Sequence, residues 1–143
     1  MPPNGADLTF AGPAQEGCLD RIHDLINQLW RVHQDVTDTD RIMFTTAVLE
    51  VANNIVTHSG ARSGVSISLA LTADPTLLSA EFRDDGSPAE VNLETVALPG
   101  DSAESGRGLA LARMALDEFS YKRGKDLNQW RLTRRRSTLT VFE

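Results

Sequence analysis

Cysteine, basic charge and long apolar runs are all scarce in this chain of 143 residues. Its one cysteine, Cys18, cannot form an internal disulfide, which favours a reducing compartment, and its helix-like surroundings predict a buried, unreactive thiol. No apolar run approaches the roughly 18 residues that a membrane-spanning helix needs. The N-terminus also lacks the basic and apolar regions of a secretory signal. We therefore expect a soluble, cytoplasmic protein that has no membrane partner.

Basic residues are outnumbered, with 14 Lys and Arg against 20 Asp and Glu, for a net charge of −6. Non-specific nucleic-acid binding depends on clustered cations that neutralise phosphates, so we expect no direct contact with nucleic acid. The longest basic run, Arg134-Arg135-Arg136, is predicted to be a solvated strand end rather than a phosphate-binding stripe.

The length is typical of one domain, and 41% hydrophobic residues together with 10 glycines exclude a mainly disordered chain. We predict a single domain over residues 1–143, with its ordered core from about residue 7 to residue 135. Apolar residues at three- and four-residue steps predict helices over 16–34, from the possible N-caps at 37–40 to about His58, and over 108–119. Gly60 offers a left-handed C-cap to the second helix.

Alternation of apolar and polar residues predicts strands. They cover residues 7–10, 65–71, 78–84, 119–122 and 127–134. Ala73-Asp74-Pro75 predicts a turn, and the long segment 85–105 has the character of a lid or binding loop. The order predicts an α/β fold: a two-layer sandwich with a mixed, mostly antiparallel sheet and helices on one face, rather than a doubly wound parallel sheet.

Common catalytic and metal-binding motifs are missing. There is no phosphate-binding G-x-x-x-x-G-K-[ST], and Gly106-Arg107-Gly108 lacks the third glycine of a dinucleotide loop. No G-x-S-x-G is present. The three histidines do not cluster with cysteines or carboxylates at metal-ligand spacing, so we expect no structural zinc site.

Three polar groups of residues remain. On the second helix, Glu50 and Asn54 share one face, where a carboxylate can take a proton and an amide oxygen can hold a hard cation. Asp84 ends a strand two residues before Gly86, which offers an acceptor for an exocyclic amine and a close approach to a flat ring. The segment 105–109 opens a helix whose N–H groups favour an anion. Taken singly, each is also compatible with an ordinary helix surface, turn or helix start.

The order of these motifs resembles that of a known superfamily. E-x-x-x-N on a helix, D-x-G-x-P at a strand end, a lid and G-x-G-L opening a helix are similar to the GHKL ATPases, which include histidine kinases and gyrase B. Within that superfamily, the stretches 50–58, 84–88, 106–111 and 128–133 look like those of the anti-sigma-factor serine/threonine kinases. The resemblance spans about residues 7–135.

The resemblance implies a function. A kinase of this kind binds ATP and Mg²⁺ and phosphorylates a serine on an anti-anti-sigma protein of the STAS fold. It also sequesters a sigma factor, usually as a homodimer. An alternative is a non-catalytic partner-switch module that binds ATP or ADP and regulates a sigma factor or another regulator by binding alone.

The resemblance also implies residue roles. Glu50 would be the general base, Asn54 the Mg²⁺ ligand, and Asp84 the acceptor for the adenine amino group. The remaining nucleotide contacts would be made by Gly86 under the ring, by Gly106, Arg107 and Gly108 around the phosphates, and by Thr133 on the last strand.

Two positions depart from the family pattern. Glu104 stands where many members carry an arginine that reaches the γ-phosphate. Leu127-Asn128-Gln129 replaces a glycine–threonine pair at the start of the last strand, which leaves Thr133 as the only threonine there. ATP binding is therefore expected more firmly than efficient phosphoryl transfer.

Overall fold

The computed structural model describes residues 7–59, 64–89 and 104–137. In chain order its elements are β1 (Leu8–Pro13), α1 (Gly17–Val32), α2 (Asp38–Ser59), β2 (Ser66–Ala73), β3 (Leu77–Asp84), α3 (Glu104–Ala115), β4 (Glu118–Gly124) and β5 (Leu127–Arg135). The predicted order of elements is confirmed. The predicted C-cap at Gly60 and residues 90–103 of the predicted loop lie outside the described residues.

The described strands form one sheet in the order β1-β2-β3-β5-β4, and all neighbours are antiparallel. β5 therefore lies between β3 and β4. Its residue Asn128 is in register with Asp84 of β3 on one side and with Arg123 of β4 on the other. These three residues form a row at one end of the sheet.

The helices cover one face of this sheet. Every second residue of β2 and β3 is buried, because alternate side chains of a strand point to opposite faces. α1 contacts β1 and β2, α2 contacts β3 and β5, α3 contacts β4, and α2 and α3 pack against each other. Trp130, Phe44 and Phe82 are the largest of the fully buried side chains in the core. The predicted two-layer α/β sandwich is confirmed.

Local signals explain where α2 begins and where β2 turns into β3. The Thr37 hydroxyl accepts a hydrogen bond from Asp40 N at 3.2 Å, and the Thr37 carbonyl accepts from Arg41 N at 3.0 Å, so Thr37 is the N-cap. In the predicted turn, Asp74 Oδ1 accepts from the backbone N–H groups of Thr76 and Leu77, each at 2.8 Å. The Thr37 cap and the Asp74 turn were both predicted, and each accepts hydrogen bonds from N–H groups only a few residues away.

α3 is displaced by four residues from its prediction, because it covers 104–115 instead of 108–119. The apolar spacing begins only at Leu109, so it gives no sign of the polar first turn. At the other end, Asp117 N already donates to Thr133 O at 2.8 Å, which commits Phe119 to β4 instead of the helix. The glycines of the third motif therefore lie inside the first turns of α3.

Three of the apolar residues whose spacing predicts the helices are exposed, namely Val32, Ile42 and Leu111. Ile42 is 65% exposed because Asp40 and Phe44, two residues away on either side, occupy the buried face of α2. Val32 is 67% exposed as the last residue of α1. Cys18 is buried as predicted, and burial raises the pKa of its thiol. No helix in the described parts of the chain has the length and apolarity to cross a membrane.

The basic run near the C-terminus is not a solvated strand end, and this corrects the prediction. The Arg134 side chain is 17% exposed and donates to Asp40 Oδ1 at 2.9 Å and to Ala115 O at 2.8 Å. The Arg136 side chain is 7% exposed and lies 2.9 Å from a carboxylate oxygen of Asp35. Both cations join distant parts of the chain, so only Arg135 behaves as expected.

Asp40 is fully buried in the first turn of α2. Its carboxylate accepts from Arg134 Nε and also from Ser137 N at 2.6 Å and Ser137 Oγ at 3.1 Å. Burial raises the pKa of Asp40, but the hydrogen bonds from Ser137 and Arg134 outweigh it and leave that pKa below its ordinary value. This carboxylate ties the end of β5 to the start of α2.

Candidate functional site

The middle of α2 presents one acidic and one amide side chain. Glu50 and Asn54 lie one helical turn apart and are both partly exposed, whereas Val51, Ala52 and Ile55 between and beside them are buried. Within the described residues, neither Glu50 nor Asn54 has a hydrogen-bond partner for its side chain. An amide oxygen is a hard donor of the kind that Mg²⁺ prefers, so Asn54 fits such an ion, while the free carboxylate of Glu50 fits a proton acceptor.

The carboxylate of Glu50 lies against the first turns of α3. A Cβ atom at Gly108 would overlap Glu50 Oε2 and would lie 3.4 Å from Glu50 Cδ. Because Gly108 has no side chain, there is room for the Glu50 carboxylate at this point. The structure thus brings together the predicted base and the predicted glycine motif, which are 58 residues apart in sequence.

A second part of the site lies where β3 ends. Asp84 is 2% exposed, and its Oδ1 accepts from Gly86 N at 3.0 Å and from Asn128 Nδ2 at 2.9 Å. A carboxylate that accepts from the N–H group two residues later closes a tight turn. Asp84 and the buried Gly86 are therefore brought together as predicted from their spacing.

Asn128 is the functional candidate that the sequence did not assign. It is 1% exposed, and its Nδ2 donates to Asp84 Oδ1 and to Ser87 O, the latter at 2.8 Å. Its Oδ1 accepts from the Tyr121 hydroxyl and, at 3.1 Å, from Arg123 Nη1. The sequence marked Asn128 only as a departure from the glycine–threonine pattern. The register of the closing hairpin against β3 is the signal that locates it.

The structure does not bring Thr133 together with Asp84 and Asn128, so its predicted nucleotide contact has no support from their geometry. Thr133 is in register with Ser79 of β3 and Glu118 of β4, five residues along β5 from Asn128. Because alternate residues of a strand face opposite ways, Thr133 also lies on the other face of β5. Asn128 is the residue of β5 that contacts Asp84.

The predicted phosphate residues Gly106 and Arg107 lie on the first turn of α3, and Gly108 begins the second turn. The side chains of Glu104 and Arg107 are outside the described part of the structure. α2 contacts α3 and also contacts β3 and β5. The part of the site on α2 and α3 and the part at the ends of β3 and β5 therefore belong to adjoining elements.

Residues 13–134 match the model of a family described as the histidine kinase-like ATPase domain. The chain belongs to that family. Membership implies that this histidine kinase-like ATPase domain binds ATP. A search of the curated proteins gave no match.

Solved structures of similar fold include three relatives. One contains the RsbU and RsbW domains of Rv1364c from Mycobacterium tuberculosis, with 19% identity, 95% of this chain and 34% of that chain covered, and a TM-score of 0.62. The SiaB-SiaC complex from Pseudomonas aeruginosa contains another, with 13% identity and a TM-score of 0.58. The match covers 91% of this chain and 90% of that chain.

The third is the histidine kinase domain of the blue-light activated histidine kinase EL346 from Erythrobacter litoralis, with 18% identity and a TM-score of 0.51. The match covers 82% of this chain and 58% of that chain. The present chain spans about a third of the length of the Rv1364c chain. At these identities the similarity shows a shared fold.

Proposed function

We propose that this chain is an anti-sigma-factor serine kinase. It binds ATP with Mg²⁺, phosphorylates a serine of a STAS-domain anti-anti-sigma protein, and sequesters a sigma factor as a cytoplasmic homodimer. The observation that carries the proposal is the unpartnered carboxylate of Glu50, one helical turn from Asn54 and packed against Gly108. A base, an oxygen ligand for a metal and a helix start that suits phosphates are thereby held by two adjoining helices.

Each end of the nucleotide has its own set of residues in this proposal. Asp84 accepts a hydrogen bond from the adenine amino group, and Gly86 lets the ring approach the backbone. At the other end, the first two turns of α3, with Gly106, Arg107 and Gly108, face the phosphates, because helix N-termini attract anions. Asn54 is the residue that would hold Mg²⁺, which when bound neutralises part of the phosphate charge.

Glu50 supplies the chemistry of the transfer step. Its carboxylate orients the serine hydroxyl and takes its proton as the serine Oγ bonds to the γ-phosphorus. The bond from that phosphorus to the β–γ bridging oxygen breaks, and ADP leaves. Such transition states are loose, so most of the catalysis comes from positioning and electrostatic stabilisation, and the base adds to it.

The comparisons support a role in partner switching. One neighbour in fold includes an RsbW domain joined to an RsbU domain, and another was solved as the SiaB-SiaC complex. The family model supports ATP as the nucleotide. The serine substrate, the sigma factor and the homodimer rest on the sequence resemblance.

A second candidate function is a module that binds ATP or ADP and switches partners without chemistry. The observation that favours it is Glu104, an acidic residue at the position where many relatives carry a cation for the γ-phosphate. An anion there disfavours a second negative group nearby. The kinase and the module therefore differ in transfer and agree in nucleotide binding.

The experiment that tests the proposal incubates the chain with Mg-ATP and each STAS-domain protein of the same genome, and records intact masses. The kinase predicts one added phosphate on one partner, at a serine. If no partner gains phosphate while ATP changes partner affinity, the binding module is the correct function.

Asn54→Ala tests the metal ligand within the same set of assays. We expect it to abolish the Mg²⁺-dependent part of ATP affinity while the fold is kept, because alanine is favourable in a helix. Asn53→Ala is the matched control, since Asn53 is the exposed neighbour on α2. Equal ATP affinities of the two variants in Mg²⁺ would exclude Asn54 as the ligand.

A further inference from the structure

The β4–β5 hairpin holds the turn that follows β3 through several hydrogen bonds. Arg123 Nη1 donates to Gly86 O at 2.8 Å, Asn128 Nδ2 donates to Ser87 O at 2.8 Å, and Ala89 N donates to the Tyr121 hydroxyl at 2.9 Å. We call Tyr121, Arg123 and Asn128 the hairpin clamp. The clamp contacts both the backbone of the turn and, through Asn128, the Asp84 carboxylate.

The orientation of the Asn128 amide is decided by its partners on β4. An asparagine amide has two donor and two acceptor positions, and an arginine side chain can only donate. Arg123 Nη1 lies 3.1 Å from Asn128 Oδ1, so turning the amide over would set two donors against each other. The oxygen therefore faces Arg123 and Tyr121, and the N–H groups face Asp84 and Ser87.

We propose that the hairpin clamp sets the orientation of Asp84 and thereby the selectivity of the site for adenine over a purine without the exocyclic amine. Asp84 Oδ1 accepts from both Gly86 N and Asn128 Nδ2, which fixes the plane of the carboxylate. Tyr121 and Arg123 act through Asn128, so they are positioning residues. The inference rests on the adenine part of the proposed function and is independent of phosphoryl transfer.

Arg123→Met is the most informative variant, because it removes the donor that orients the amide and keeps the aliphatic stem. The Arg123 side chain lies on an exposed position of β4, so the fold is expected to persist. We expect ATP affinity to fall about fivefold, the equivalent of one lost hydrogen bond, while ITP affinity changes less than about twofold. Arg123→Lys keeps a donor and should restore much of the selectivity.

Matched controls are available on the same strand. Lys122→Met removes one positive charge from the neighbouring exposed residue, so it reports any general effect of charge on nucleotide binding. Tyr121→Phe removes only the hydroxyl and should act as Arg123→Met does. Its control is Ser120→Ala, which removes an exposed hydroxyl one residue earlier.

The readout is the ratio of ATP to ITP affinity, measured by titration calorimetry with the full chain and with thermal unfolding recorded in parallel. The clamp predicts a smaller ratio in Arg123→Met and Tyr121→Phe and an unchanged ratio in both controls. A purely structural role would lower both affinities equally and leave the ratio unchanged, which would overturn the inference.

Measurements on the parent protein distinguish a failure of this inference from a failure of the proposed function. If the parent prefers ATP but phosphorylates no partner, the kinase assignment fails while the clamp is still tested by the ratio. If the parent binds ATP and ITP equally, or binds neither, both the adenine role of Asp84 and the clamp are overturned.

Discussion

The two ends of β5 each hold a buried aspartate, and they do so with different chemistry. At the C-terminal end, the guanidinium of Arg134 donates to Asp40 at 2.9 Å, and Ser137 adds two further hydrogen bonds. At the N-terminal end, the amide of Asn128 donates to Asp84 Oδ1 at 2.9 Å, next to the N–H group of Gly86. The first carboxylate is held by a cation and the second, at this oxygen, by neutral donors.

This difference is what we expect between a carboxylate that stabilises the fold and the one that we propose accepts a hydrogen bond from adenine. A buried charge is costly unless it is paired, so removing one partner of the Asp40–Arg134 pair should weaken the packing of α2 against β5. A neutral amide fixes the direction of a carboxylate without supplying a full positive charge. We therefore expect changes at Asp40 to affect unfolding and changes at Asp84 to affect nucleotide affinity.

The largest expected effect comes from Arg134→Met, which leaves Asp40 buried without its cation. We expect the free energy of unfolding to fall by about 3 kcal/mol or more, because removal of one partner strands a buried charge. Chemical denaturation measures it. Arg135→Met, at the exposed neighbour, is the control. Equal losses in the two variants would show that the ion pair does not stabilise the fold.

Asp84→Asn tests the expected role of the second aspartate in nucleotide affinity. We expect ATP affinity to fall about 10- to 100-fold, the range for a hydrogen bond to a charged group, with a smaller loss for ITP. Titration calorimetry gives both values, and Glu81→Gln, on the other face of β3, is the control. Equal losses for ATP and ITP would make Asp84 a turn residue and no more.

At acid pH, Asp40 should lose its contribution to the free energy of unfolding. Its pKa is lowered in the folded chain, so its contribution is present above the unfolded value of about 3.9 and is lost as pH falls through the folded value. The difference in unfolding free energy between the parent and Asp40→Asn should therefore narrow between neutral pH and about pH 3. A difference that stays constant over this range would contradict the role of the ionised carboxylate.

Asp74→Ala gives the smallest expected effect. The side chain of Asp74 also accepts backbone hydrogen bonds, from Thr76 and Leu77, but it is exposed. These bonds lower the pKa of Asp74. We expect a loss of about 1 kcal/mol in unfolding free energy, since the acceptor competes with water. A loss as large as that of Arg134→Met would show that burial is not what separates these aspartates.

Features with local causes were predictable from the sequence. Thr37 as a cap, Asp74 in a turn and the alternating strands each depend on residues only a few positions apart, so a one-dimensional pattern contains them. The Glu50/Asn54 pair and the Asp84/Gly86 pair are local in the same sense. Their spacing predicted that the two members of each pair lie together, and the motif order connected the pairs to one family.

Contacts between residues that are distant in the sequence could not be predicted from such a local pattern. Asp40 and Arg134 are 94 residues apart, and a run of three arginines carries no mark of which side chain will be buried. Asn128 meets Asp84 across 44 residues, and only the strand register aligns them. Thr133 was chosen by residue type, whereas the two-residue period of β5 decides which side chains face the site.

The measurement that tests the account most directly is the rate at which Glu50→Gln transfers phosphate to the partner that the parent phosphorylates, with ATP affinity measured on the same sample. If Glu50 is the base, ATP affinity stays near that of the parent while transfer slows at least about 100-fold. Glu118→Gln, at an exposed position of β4, should leave both values unchanged. Transfer by Glu50→Gln at the rate of the parent would contradict the account.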